Sequence, residues 1–146
     1  MTLAEPQTPP EGGESVVVDP GKVREQYTTT DLAALLAKWQ KLLRLQDWNI
    51  TAGFYHAYEL ARDGRAAENR HAFTEKVSEI RIVRPEEHNP GWCPATLDIE
   101  HSLVHELLHL HLSRSYEQVS RDDALQDELE LAINMIADTL LRIDRR

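Results

Sequence analysis

The carboxy-terminal third of the chain constrains the fold most, because two long stretches there repeat apolar residues at helical spacing with only a short polar break between them. The first spans about residues 97–113, with Thr96 as its candidate cap. Leu103, Val104, Leu107, Leu108 and Leu112 make it apolar enough to lie buried. The second spans about residues 122–143 and carries Leu125, Leu129, Ala132, Ile133, Ile136, Ala137 and Leu140 on one face. The short break between them predicts an antiparallel return.

Upstream, the pattern starts at Thr30, read here as a capping threonine before Asp31. Leu32, Leu35, Leu36, Trp39, Leu42 and Leu43 then recur at helical spacing. The period switches to two at Trp48, Ile50, Ala52 and Phe54, which predicts a strand with one face on a core. Asp63-Gly64 is a turn dipeptide, and a second alternation, Ser78, Ile80 and Ile82, runs until Pro85 ends it. Residues 68–75 are a candidate for a further strand. The run His88-Asn89-Pro90-Gly91-Trp92-Cys93-Pro94 reads as a loop. A helix, a small group of strands and two closing helices define an α+β domain. Its expected extent is residues 23–146, behind a flexible tail over residues 1–22 that is rich in proline, glycine and acids. Val16, Val17 and Val18 in that tail read equally as an edge strand or as a short apolar patch.

At 146 residues the chain suits one domain, and its net charge of −9 argues against a nucleic-acid partner. The single cysteine, Cys93, excludes an internal disulfide and a cysteine-built zinc knuckle. No signal peptide or membrane-spanning run is visible, so the expectation is a soluble, cytoplasmic protein without a membrane partner.

The chemistry concentrates in His105-Glu106-Leu107-Leu108-His109. Residues four apart stack on one face of a helix, so His105 and His109 can aim ring nitrogens at one zinc ion. Glu106 lies beside such an ion rather than on it, where a carboxylate serves as general base toward a bound water. A catalytic zinc has three protein ligands and an open position, so a third ligand is needed. His111 projects about 200° away from His109 around the helix. His101 stacks one turn before His105 but would place three ligands in line along a single helix, and it reads better as a surface histidine. The final helix offers Asp127, Glu128 and Glu130.

This arrangement, from about residue 96 to residue 141, resembles the gluzincin metallopeptidases, whose single-domain members are the minigluzincins. The resemblance implies a zincin-like fold with an active-site helix and a glutamate-bearing carboxy-terminal helix. It implies zinc held by His105, His109 and Glu130, with Glu128 as the less favoured alternative. Asn134, one turn after Glu130, would steady a ligating histidine. Thermolysin-like enzymes carry an aspartate at that place, so this chain departs from them there. The implied activity is hydrolysis of peptide bonds in a peptide or protein substrate, with Glu106 as general base. The resemblance also makes residues 78–83 a candidate cleft rim for an extended substrate, although they read equally well as a core strand. Tyr116, His111 and His88 are unranked candidates for stabilising the oxyanion. Cys93 reads as a small buried residue rather than a nucleophile. The rival reading keeps the zinc but makes the domain a non-catalytic interaction or regulatory module.

Overall fold

The computed structural model describes residues 28–61, 64–89, 91, 97–119 and 121–146, without the side chains of 113–119. The tail with Val16, Val17 and Val18, the boundary at residue 23, Cys93, Thr96 and the Tyr116 side chain lie outside the described residues. Helix α1, Thr29–Leu42, leads into strand β1, Asn49–Tyr55. Strands β2, Ala67–Ala72, and β3, Val77–Val83, follow, and helices α2, Ile99–Val119, and α3, Asp123–Asp144, close the chain. Short 3-10 turns at Ala57–Glu59 and Pro85–Glu87 complete the described elements of this α+β fold.

Helix α1 starts two residues earlier than a cap at Thr30 would place it. Thr28, not Thr30, is the cap: its hydroxyl accepts from the Asp31 amide, while the Asp31 carboxylate accepts from the Thr28 amide. The reciprocal pair satisfies two donors that a helix start otherwise leaves open. Aspartate is the residue three places on from Thr28, so the earlier threonine closes the box and Thr30 falls inside the first turn.

The sheet order is β1-β3-β2, with β1 parallel and β2 antiparallel to β3. Strand β3 is therefore the centre of the sheet, its backbone groups engaged on both sides, and it is not a rim. The edge beside α2 belongs to β2, which packs against that helix. The alternation of residues 78–83 marked which face is buried, but it carries no information on which neighbours flank the strand. In register, Ile50, Ala52 and Phe54 share one face with Ser78, Ile80 and Ile82 and with Ala67, Asn69 and His71. That face meets the helices. On the opposite face Glu79 accepts from the Tyr55 hydroxyl at 2.8 Å and pairs with Arg81 at 3.0 Å, a polar surface suited to solvent.

Helix α2 is the centre of the core, with Leu103, Val104 and Leu107 fully buried and Leu108 and Leu110 nearly so. It runs to Val119, beyond the expected end near residue 113. Helix α3 begins after Asp122, whose carboxylate accepts from the Ala124 and Leu125 amides. Its buried seam is Ile133, Ala137 and Leu141, spaced one turn apart. The expected stripe is thus rotated: Leu125 and Ile136 are exposed, while Leu141, outside that stripe, is buried. At the far end of the helices, buried Glu100 accepts from the Trp39 indole at 2.7 Å and from Lys38 and Arg145, and Arg145 also grips Asp98. This cluster joins all three helices at the start of α2.

Candidate metal centre

A helix buried on most of its circumference must account for every polar side chain it carries. On α2 these form a line, His101, His105 and His109, at four-residue intervals, with Glu106 beside it. The His105 and His109 rings meet edge to face, centroids 4.9 Å apart, and their Nε2 atoms lie 3.1 Å from each other. Glu130 comes from α3 to face the pair. One carboxylate oxygen stands 3.1 Å from His105 Nε2 and the other 3.3 Å from His109 Nε2.

Those distances are the fit test for a metal. Donor atoms at zinc bonding distance on a tetrahedral centre are about 3.3 Å apart, and the three contacts just given lie at 3.1 to 3.3 Å. Two imidazoles and one carboxylate are also a donor set of the catalytic zinc type. His105 Nδ1 donates to Asn134 Oδ1 at 2.8 Å, which leaves Nε2 of the neutral ring as a lone pair facing His109 and Glu130. Glu130 and Asn134 sit one turn apart beside the α3 seam, so a single helix delivers both the carboxylate and the group that orients the ring.

Glu128 is separated from Glu130 by about 200° of helix, and it is exposed, as is Asp127. Helical phase therefore does distinguish the two glutamates once the seam is located at Ile133, Ala137 and Leu141. His111 points away from the centre and donates through Nε2 to the Leu43 carbonyl at 2.8 Å, tying α2 to the end of α1. Its expected candidacy as an oxyanion donor does not survive that placement. The His101 ring is tilted against His105 at a centroid distance of 6.5 Å and lines the same side of the helix. His88 lies on the connection following β3, at the end of the turn Pro85–Glu87.

Glu106 is only 7 % exposed, and one ligand atom each from His105, Glu106 and His109 fall within 4.8 Å of one another. That spacing would also admit Glu106 as a ligand, but Glu130 touches both Nε2 atoms and is the better third donor. Burial pushes the Glu106 carboxyl above its ordinary value, outweighing the attraction of His105, His109 and Arg65. For Glu130 burial acts upward too, but the hydrogen bonds from His105 and His109 prevail and hold it well below the usual carboxylate range. Burial disfavours the charged His105 ring, yet the Glu130 hydrogen bond and the charges of Glu106 and Glu130 raise it above its ordinary value.

One residue at the site was missed in the sequence. Asn69, inward-facing on β2, donates from Nδ2 to the backbone carbonyl of Glu106 at 2.8 Å, while its Oδ1 accepts from the buried Ser78 hydroxyl at 2.8 Å. The available signal was an amide at a core-facing strand position, between Ala67 and His71, where a polar group needs a partner. Comparisons with known proteins return no match, whether to a protein family, to a curated protein or to a solved structure.

Proposed function

We propose that this protein is a zinc-dependent metallopeptidase of the gluzincin type. The observation that carries the reading is a single carboxylate, Glu130, presenting one oxygen to each of two facing imidazole nitrogens, with the buried acid Glu106 alongside. His105, His109 and Glu130 would hold the ion, and Asn134 fixes the His105 ring in the ligating tautomer. Bound there, zinc supplies Lewis acidity, which polarises a peptide carbonyl and brings the pKa of a water toward neutrality.

The chain's own residues supply the rest. Glu106, its carboxyl shifted upward by burial and so more basic than an exposed carboxylate, would accept a proton from the attacking water and return it to the departing amine. Among the described strands β2 is the sheet edge beside α2, and an extended peptide would add there as a further strand. The substrate class is thus an extended peptide or protein segment, and the expected compartment is the cytoplasm. Among the described residues no helix is long and apolar enough to cross a membrane.

The test is metal content and hydrolysis measured together on untagged protein. Stoichiometric zinc, cleavage of a fluorogenic peptide library, and loss of cleavage with retained zinc in Glu106→Gln are the expected results. Zinc without cleavage of any library would leave the rival, a zinc-stabilised interaction domain. Absence of zinc would remove both.

A further inference from the structure

The chemistry of the polar bridge between β2 and α2 admits only one arrangement. The Glu106 carbonyl can only accept, so the Asn69 side chain must turn its NH2 toward it. The Asn69 oxygen then faces Ser78, whose hydroxyl must donate. Ser78 is 1 % exposed and lies on the central strand. The amide is therefore held from behind by the most constrained part of the sheet and reaches forward to the helix turn that bears Glu106.

That carbonyl lies within the helix, where the amide four residues on, Leu110, is its ordinary partner, so the helix does not need the Asn69 bond to form. What the bond adds is a fixed separation between two elements. Its neighbours on the inward face of β2 are Ala67, which is small, and His71, which stands edge-on to Trp48 at 6.4 Å. The Asn69 side chain hydrogen-bonds to the turn that bears Glu106 itself.

We infer that Asn69 is a positioning residue: with Ser78 behind it, it sets the height of the β2 edge over the turn carrying Glu106, and so the placement of a peptide paired to that edge. The inference rests on the metallopeptidase reading, specifically on β2 as the peptide-binding edge. It separates Asn69 from the groups that hold the ion, since His105, His109, Glu130 and Asn134 are bound to one another and not to Asn69. A loosened β2 displaces the peptide relative to Glu106 while the ligand set stays intact.

The experiment uses the zinc-loaded full chain and two probes. Acetohydroxamate reports on the ion alone, and a succinyl hydroxamate extended by three alanines also reports on strand pairing. Wild type is expected to bind the extended probe more tightly. Asn69→Leu is expected to lose about ten- to a hundredfold of that advantage, with acetohydroxamate binding and zinc affinity unchanged. Ser78→Ala, which frees the amide to turn while removing only one hydroxyl, is expected to shift binding the same way and decides the matter if the leucine variant does not fold. An undiminished advantage in Asn69→Leu, or equal weakening of both probes, overturns the positioning role. No advantage of the extended probe in wild type instead shows that the β2 edge is not the peptide site, and the inference falls with that reading.

Discussion

Replacing Glu130 with alanine, beside Glu128→Ala as control, is the sharpest check on the ligand set. Zinc sites of four protein ligands bind by about 10–16 kcal/mol, so a single ligand contributes about 3 kcal/mol, or roughly two orders of magnitude in affinity. Glu130 stands opposite both Nε2 atoms, at 3.1 and 3.3 Å, so its removal takes away the carboxylate that touches both rings. Glu128 is exposed and on another face of α3, and its removal should leave affinity unchanged. Competition with a fluorescent zinc chelator at fixed pH measures the difference. A second readout needs no metal. Without Glu130, the His105 ring loses the hydrogen bond and charge that raise its pKa, and its NMR titration should move downward. Wild-type zinc affinity in Glu130→Ala, or an equal loss in Glu128→Ala, would refute the assignment.

Three further outcomes are expected. Asn134→Ala removes the acceptor from His105 Nδ1 and should weaken zinc binding by about ten- to a hundredfold, with Asn134→Asp retaining it; the same chelator competition applies. Metal-free protein should melt at a lower temperature at pH 8 than at pH 6. The stabilisation from His105, raised above its ordinary 6.5, is present below that value and is lost as pH rises through the elevated folded value. The upward shift of Glu106 from 4.5 acts in the same sense. Glu130, lowered from 4.5, contributes above that value and loses its contribution only in stronger acid. Calorimetry of zinc-loaded protein should show the opposite trend over the same range, because binding the ion displaces protons from the histidines. Finally, Glu100→Ala strands the buried Trp39 indole N–H, while Arg145 keeps Asp98 and Lys38 keeps Asp144, and urea unfolding should register a loss of about 1–3 kcal/mol; an unchanged midpoint would show the cluster to be dispensable.

The parts of the site that could be read in the sequence are those set by spacing along one helix. His105 and His109 follow from a four-residue interval, and so do Glu130 and Asn134, because helical geometry converts such intervals directly into a shared face. What depended on the rotation of α3 was harder. An apolar stripe running from Leu125 to Leu140 placed the seam too far round; the observed seam at Ile133, Ala137 and Leu141 and the contacts of Glu130 with both histidines separate it from exposed Glu128. Strand order was not readable at all: alternation at residues 78–83 gives the buried face, whereas the central place of β3 results from pairing with both β1 and β2. Asn69 belongs to the same class. Its partners, the Glu106 carbonyl and Ser78, are brought to it by tertiary folding.

Helix α3 is fastened unevenly. Its final turns are bolted down by Ile133, Ala137 and Leu141 and by the grip of Arg145 on Asp98 and Glu100. Its opening turns, Asp123 to Glu128, lie largely in solvent, and Glu130 is where they first meet the histidines. The helix is thus a lever pinned at one end, with Glu130, the proposed ligand, near its more exposed arm. Stripping the metal should unfasten that arm alone, so amide exchange would quicken over its first two turns while the pinned half keeps its protection.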